Sequence, residues 1–224
     1  MSRAAILPLF LLPGMGADAR MFRPQLAAFP NAVVPAWVLP EPKEPLPAYA
    51  VRMAGAIEPR GPCFVGGASF GGMVAVEMAR HLEVRACFLI GSVGSPLELP
   101  RRVRILRSLA RVAGRTPEWI PPLVRALRLA VPRRLAPATR SMLDQLAETD
   151  RRFFRWAALA VLRWQPSAEP LAVPVARIHG DRDRILPHRL TRPDVLVRGG
   201  GHLISMTHAD LVNEFLRAGI EKWG

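Results

Sequence analysis

Short apolar runs alternate with helix-length segments along most of the chain. Six of these runs are hydrophobic at nearly every position, not at every second one, which is typical of strands buried on both faces of a parallel sheet. The predicted strands are residues 5–12, 32–38, 63–68, 85–92, 173–179 and 194–198. The predicted helices are residues 21–28, 49–57, 70–82 and 209–223. The pattern predicts an α/β fold with a mainly parallel, doubly wound sheet that is covered by helices on both faces.

The regular alternation stops at Ser95 and resumes near Val173. Prolines divide this interval into several short helical stretches, and no run in it reads as a strand. We therefore expect a helical cap at residues 95–170, inserted into a core formed by residues 1–94 and 171–224. Within the interval, residues 101–115 are amphipathic. The apolar side is Val103, Leu106, Leu109 and Ala113, and the opposite side is Arg104, Arg107, Arg111 and Arg115.

The length of 224 residues, half of them hydrophobic, suits one domain with an inserted subdomain. No run approaches the roughly 18 uncharged apolar residues that a membrane-spanning helix needs. The first twelve residues resemble a short signal peptide, but Pro8 interrupts the apolar run and Pro13 ends it. We therefore expect a cytoplasmic protein. Cys63 and Cys87 each fall inside a predicted strand, where a small apolar thiol is ordinary, and their spacing suggests neither a disulfide framework nor a metal site.

The formal charge of +13 comes from arginine, because only Lys43 and Lys222 are lysines among the 31 basic residues. The predicted cap holds 15 arginines and 6 acidic residues and so carries +9 of this charge. Codon bias in a GC-rich genome explains such a composition, and so does an acidic partner such as an acidic carrier protein. Nucleic acid is not expected as a partner, because no nucleic-acid-binding motif accompanies the charge.

The sequence Gly-Ala-Ser-Phe-Gly at residues 67–71 lies between a predicted strand and a predicted helix. A G-x-S-x-G in that context is typical of a nucleophile elbow, in which small residues permit a sharp turn that exposes the serine hydroxyl. Ser69 is therefore the candidate nucleophile. The backbone N–H of Phe70, directly after it, and that of Met15, in the Pro-Gly-Met-Gly loop after the first strand, are candidate donors to an oxyanion.

A serine hydroxyl needs a base and a carboxylate that orients this base. His202 is the best candidate base, because it follows three glycines just after the last predicted strand. His179 ends a strand and is expected to anchor the loop that carries the acid. Either Asp181 or Asp183 of that loop can reach across the top of the sheet to His202.

These motifs resemble the α/β-hydrolase superfamily over nearly the whole chain. The matching segments are the elbow at Ser69, the sequence His-Gly-Asp-Arg-Asp-x-x-x-Pro at residues 179–187, and Gly-Gly-Gly-His at residues 199–202. They follow the order Ser, Asp, His that the superfamily uses. The resemblance implies that Asp183, the second aspartate, is the acid. Pro13-Gly14 stands where the superfamily often has His-Gly, and we expect a minimal version of the fold without the leading strands of larger members.

Within the superfamily the chain is similar to small bacterial carboxylesterases, including those that cleave the methyl ester of pimeloyl-carrier protein. This resemblance implies a serine carboxylesterase for small to medium acyl esters, with no cofactor and no metal. Trp119, Phe153 and Trp156 are expected to line its acyl pocket. The alternatives are a lactonase, a carrier-linked methyl ester esterase, and a binding module without hydrolytic activity. The surface that would dock an acidic carrier is Arg101, Arg104, Arg107, Arg111, Arg151, Arg152 and Arg155.

Overall fold

A six-stranded sheet forms the centre of the protein in the computed structural model, which describes residues 7–101, 103, 105 and 136–224. The strands are β1 (Leu9–Leu12), β2 (Ala32–Val33), β3 (Cys63–Ala68), β4 (Val84–Ile90), β5 (Val175–Gly180) and β6 (Val195–Val197). Their order is β2-β1-β3-β4-β5-β6, and every neighbouring pair is parallel. The structure therefore confirms the predicted parallel α/β architecture.

Helices connect these strands and cover the sheet. They are α1 (Arg23–Ala28), α2 (Leu46–Ile57), α3 (Phe70–Met78), α4 (Pro137–Glu148), α5 (Arg151–Arg163), α6 (Ile204–Thr207) and α7 (Ala209–Trp223). Prolines stand in the first turns of α1, α2 and α4, where a missing N–H costs nothing because that donor has no intrahelical partner. Asp150 caps α5 by accepting hydrogen bonds from the N–H groups of Arg152 and Phe153.

Two hydrophobic clusters lie on the two faces of the sheet. Alternate residues of a strand point to opposite faces, so Phe10 and Leu12 join one cluster while Leu9 and Leu11 join the other. The first cluster is completed by helices α2, α3 and α5, and the second by α7 and the segment around α1. Burial of one such leucine contributes about 1.5–3 kcal/mol, which explains why these strands are apolar at nearly every position.

Some boundaries differ from the sequence-based expectation. Strand β2 ends at Val33 and not at residue 38, because Pro35 has no N–H to continue the ladder of hydrogen bonds. Strand β4 ends at Ile90, where Gly91 takes a φ of 53° and turns the chain. The predicted strand 5–12 is described only from residue 7 and forms its ladder at Leu9–Leu12.

Helices α4 and α5 occupy part of the interval predicted as a cap, and no strand occurs among the described residues of that interval. Residues 106–135 and the arginines at 102 and 104 lie outside the described residues, so the extent of the cap stays a prediction. No helix in the described part of the chain is long and apolar enough to cross a membrane. Cys63 and Cys87 are both buried as free thiols in adjacent strands.

Candidate active site

The carboxyl ends of the parallel strands meet at one edge of the sheet. The chain places β2 on one side of β1 and β3 on the other, so the strand order reverses at the β1–β3 pair. Crevices outside such a reversal are the usual ligand sites of open α/β sheets. The loops that follow β1, β3, β5 and β6 carry the residues singled out by the sequence.

Ser69 links β3 directly to α3 in a strained conformation. Its φ of 52° and ψ of −119° are unusual for a residue with a side chain and typically cost about 1–3 kcal/mol. Two hydrogen bonds hold the turn: the Ser69 N–H donates to the Ile90 carbonyl at 3.2 Å, and the Ser92 hydroxyl donates to the Ser69 carbonyl at 2.6 Å. Ser92 was missed by the sequence analysis, because a serine after a strand carries no specific signal.

The two glycines of the elbow are required by close backbone contacts. A methyl group on Gly67 would overlap the backbone of Gly71 and Gly72. A methyl group on Gly71 would overlap the carbonyl oxygens of Leu12 and Pro13 at the end of β1. Only residues without a Cβ let α3 begin this close to the sheet, and this closeness sets the position of Ser69.

His202 and Ser69 are in direct contact. The distance from His202 Nε2 to Ser69 Oγ is 2.9 Å, and His202 Nδ1 lies 2.7 Å from Asp183 Oδ2. An ionised carboxylate can only accept, so the ring proton belongs on Nδ1, and Nε2 is left as the acceptor for the serine hydroxyl. This arrangement can take the proton of Ser69 as the hydroxyl becomes a nucleophile.

Asp183 is held in place by four donors, and its side chain is fully buried. Oδ1 accepts from the N–H groups of Ile185 at 2.8 Å and Leu186 at 2.9 Å, while Oδ2 faces His202 and His179. Burial alone would raise the pKa of Asp183. The hydrogen bonds from His179, His202 and Leu186 outweigh this effect and hold the pKa well below its ordinary range. The carboxylate is therefore ionised at neutral pH.

Asp181, the alternative acid, lies elsewhere. Its Oδ1 accepts a hydrogen bond of 2.8 Å from the Gly199 N–H, so it ties the acid loop to the loop that carries His202. His179 is buried beside Asp183, with its Nε2 at 3.1 Å from Oδ2. His208 contacts the exposed hydroxyl of Thr207. The structure thus brings together Ser69, His202 and Asp183, and His179 contacts Asp183.

The candidate oxyanion donors belong to two neighbouring loops. Phe70 is the first residue of α3, so its N–H has no acceptor one turn earlier in the helix. In the described part of the chain, the N–H of Met15 also has no acceptor, whereas that of Gly14 points to the Met21 sulfur at 3.3 Å. A Cβ built on Gly14 would lie 3.7 Å from the Cβ of Ser69, so this loop passes close to the serine.

A cavity of about 240 Å³ adjoins the loop that holds Met15. Gly16 and Ala17 line it on the side of this loop, and Trp37 and Phe153 line it with aromatic rings. Its polar lining is Asp18, Gln145, Glu148, Thr149 and Asp150. Trp37 was assigned to a strand by the sequence analysis and missed as a pocket residue. Its ring centroid lies 5.6 Å from that of Phe70 and 5.2 Å from that of Phe153.

Trp156, another expected pocket residue, does not line this cavity. The ring of Trp156 packs 4.2 Å from that of Tyr49, and its N–H donates to the Glu44 carbonyl at 2.8 Å. Trp156 lines a second groove of about 530 Å³, together with Arg152 and other residues of α5. Trp119 lies outside the described residues. Where the chain is described, no group of three or more His, Cys, Asp or Glu side chains is arranged to hold a metal ion.

Comparison with known proteins identifies the family. Residues 9–215 match the model of the alpha/beta hydrolase family, so the chain belongs to this family of hydrolases. A search of curated proteins finds no match.

Solved structures agree in fold with nearly the whole chain. An esterase from Thermogutta terrifontis is 19% identical with a TM-score of 0.71, over 96% of this chain and 90% of the other. An enol-lactonase from Burkholderia xenovorans is 19% identical with a TM-score of 0.68, over 98% and 94%. An epoxide hydrolase of this superfamily from metagenomes of hot environments is 18% identical with a TM-score of 0.68, over 97% of this chain and 92% of the other. Because these proteins differ in reaction, the likeness shows the fold alone.

Proposed function

We propose that this protein is a serine hydrolase that cleaves small to medium carboxylic esters through an acyl-enzyme intermediate. The observation that carries the proposal is the unbroken chain of hydrogen bonds from Ser69 Oγ through the His202 ring to Asp183 Oδ2, at the edge of the sheet where ligands bind. The strained elbow and the N–H groups of Met15 and Phe70 support the same reading, because acyl transfer needs donors beside the nucleophile.

In the proposed reaction, Ser69 Oγ attacks the ester carbonyl while His202 Nε2 takes the hydroxyl proton. The N–H groups of Met15 and Phe70 stabilise the negative oxygen of the tetrahedral intermediate, and loss of one such donor typically costs about a hundred- to a thousandfold in rate. His202 returns the proton to the leaving alcohol. Water then attacks the acyl group on Ser69 with His202 as base, which releases the acid and regenerates the enzyme. Asp183 keeps the His202 ring oriented throughout.

We assign the acyl group to the cavity of about 240 Å³ beside the loop of Met15, whose described lining does not include Ser69 or His202. Trp37 and Phe153 offer apolar surface to a short acyl chain or ring. A small lactone is a cyclic ester that the same chemistry opens, and one of the compared structures is an enol-lactonase. A substrate panel that pairs linear esters with lactones of equal carbon number distinguishes an esterase from a lactonase.

A fluorophosphonate probe and a short p-nitrophenyl ester test the proposal. We expect wild type to be labelled and active, and Ser69→Ala or His202→Ala to lose on the order of a thousandfold or more in kcat. Ser205→Ala, a buried serine of α6, is the matched control that keeps both activities. Full activity in Ser69→Ala would exclude the mechanism. A folded wild type with neither labelling nor hydrolysis would favour a binding module.

A second candidate is the ester of an acidic carrier protein, docked on the groove beside Trp156. Arg152, Arg155, Arg163 and Lys43 line this groove together with Glu41 and Glu44, so its described lining is net positive. Such a surface suits an acidic partner and makes its binding sensitive to salt. We expect Arg152→Glu combined with Arg163→Glu to slow hydrolysis of a carrier-linked ester selectively, relative to a small neutral ester. Equal effects on both substrates would reject the docking role.

A further inference from the structure

Two histidines contact the same oxygen of Asp183. His202 Nδ1 lies 2.7 Å from Oδ2, and His179 Nε2 lies 3.1 Å from the same atom. His179 is only 1% exposed, and the Asp183 side chain is fully buried. The proposed reaction uses His202 and leaves the role of His179 open.

The surroundings of the His179 ring fix its proton. Nε2 also lies 2.6 Å from the carbonyl oxygen of Leu186, and both this oxygen and the Asp183 carboxylate can only accept. Nε2 therefore carries a hydrogen that is shared between the two acceptors. On the other side of the ring, Nδ1 lies 3.3 Å from the hydroxyl of Thr191, whose single hydrogen goes to the His188 carbonyl at 2.9 Å. The contacts of Nε2 with Leu186 and Asp183 therefore hold the buried ring beside the carboxylate.

We propose that His179 is a positioning residue, whose Nε2–H holds the Asp183 carboxylate in the orientation that faces His202 and shares the oxygen that His202 contacts. This inference rests on the proposed function, because Asp183 matters only if His202 acts as the base. A carboxylate oxygen shared between two donors stabilises a positively charged His202 less than an undivided one. A change at His179 therefore alters how strongly Asp183 attracts the His202 ring.

Among the described residues, further charged groups near this pair belong to the acid loop and to β5. Arg182 and Arg184 flank Asp183 in sequence, and Arg177 of β5 donates to the Thr191 carbonyl at 2.8 Å and to Glu98 at 2.7 Å. In the described chain, the titratable side chains in contact with the Asp183 carboxylate are His179 and His202. A change at His179 therefore acts on His202 through Asp183.

The pH dependence of kcat/KM tests the inference. His179→Met removes the donor and keeps a side chain of similar length, so Asp183 becomes both more basic and a stronger partner for His202. Both effects add protons to the free enzyme, and we expect the acid limb to move to higher pH by about half a unit to one unit. His179→Gln retains an N–H donor, and we expect its limb to lie nearer that of wild type.

Asp181→Ala is the matched control, because Asp181 anchors the same loop through Gly199 without contact to Asp183. We expect this variant to lower activity without moving the acid limb. An unmoved limb in His179→Met, or an equal shift in Asp181→Ala, would mean that His179 is only a structural anchor and would overturn the inference.

NMR of histidine labelled with ¹⁵N in the wild-type protein gives a readout that needs neither folding of a variant nor catalysis. We expect a protected His179 Nε2 proton at neutral pH, and its absence would overturn the inference even in an active enzyme. Failure of the proposed function is a separate result, namely wild-type hydrolysis that does not depend on Ser69.

Discussion

The Gln145 side chain accepts a hydrogen bond of 2.9 Å from the backbone N–H of Asp18, and this contact joins helix α4 to the loop after β1. Gln145 is 2% exposed, and its amide nitrogen donates to Ser141 one turn earlier. Next to it, Leu146 packs against Gly16 so closely that a Cβ on this glycine would overlap the leucine. An element from the interval between β4 and β5 therefore fixes the loop that carries Met15.

Gln145→Leu is expected to weaken both the fold and the reaction. The substitution removes the acceptor of the Asp18 N–H in a partly buried hydrogen bond, and the loss of such a bond costs about 0.5–1.5 kcal/mol of the free energy of unfolding. Because the Met15 N–H stands in the same loop, we also expect kcat to fall more than KM rises. Urea unfolding and the kinetics of a p-nitrophenyl butyrate assay measure the two effects. Ser141→Ala is the control, because it leaves the hydrogen bond between Gln145 and Asp18 intact. An unchanged kcat in Gln145→Leu would show that α4 does not position the loop that carries Met15.

Gly67→Ala is expected to be severely destabilising, since the added methyl group meets the backbone of Gly71 and Gly72 and no side-chain motion relieves the overlap. Gly55→Ala is the matched control. Gly55 lies exposed in α2 with open space around it, and alanine there should raise the free energy of unfolding by about 0.5–1 kcal/mol. Thermal or urea unfolding of both variants checks the contrast. A stable Gly67→Ala would show that α3 can start further from the sheet.

The sequence pattern was sufficient to predict those parts of the fold that depend on residues close together in the chain. The buried strands are apolar on both faces, and the small residues around Ser69 are a direct consequence of the close approach of α3 to β1, so both can be read from neighbouring residues. The choice between Asp181 and Asp183 needed the resemblance to a family, because either carboxylate follows β5.

Contacts between distant segments could not be read in this way. The bond between Asp18 and Gln145 joins residues 127 positions apart. Trp37 lies in an apolar run that is equally suited to a strand, and only the short ladder of β2 frees it to pack on Phe70. His179 was expected to anchor the acid loop, and nothing in its spacing indicated that it shares an oxygen of Asp183 with His202.

Acid should remove part of the stability through Asp183. Its pKa is lowered in the folded protein, so below its ordinary value of about 3.9 the unfolded chain binds a proton that the folded protein does not. The contribution of the ionised group is therefore complete above that pH and is lost as the pH falls toward the lower folded value. We expect Asp183→Asn to be less stable than wild type at neutral pH and the difference to narrow in acid. Urea midpoints across this range measure it, and a constant difference would contradict the linkage.

The charge of the substrate should matter at the cavity beside Gly16. Asp18, Glu148 and Asp150 line it, and Arg20 pairs with the first two, so carboxylates outnumber cations among the described residues at this cavity. An acyl chain that ends in a carboxylate should bind less well than a neutral one of equal length. We expect kcat/KM to be higher for p-nitrophenyl butyrate than for the p-nitrophenyl monoester of succinate. Glu148→Gln should reduce this ratio about fivefold, because it removes about 1 kcal/mol of like-charge repulsion.

Added salt should narrow the same preference by screening. Glu221→Gln is the matched control, because Glu221 is an exposed acid near the end of α7 that does not line the cavity. A preference that responds equally to both substitutions would indicate a general effect of net charge. A preference for the anionic ester would mean that the acyl chain enters another space, such as the groove lined by Arg152 and Arg155.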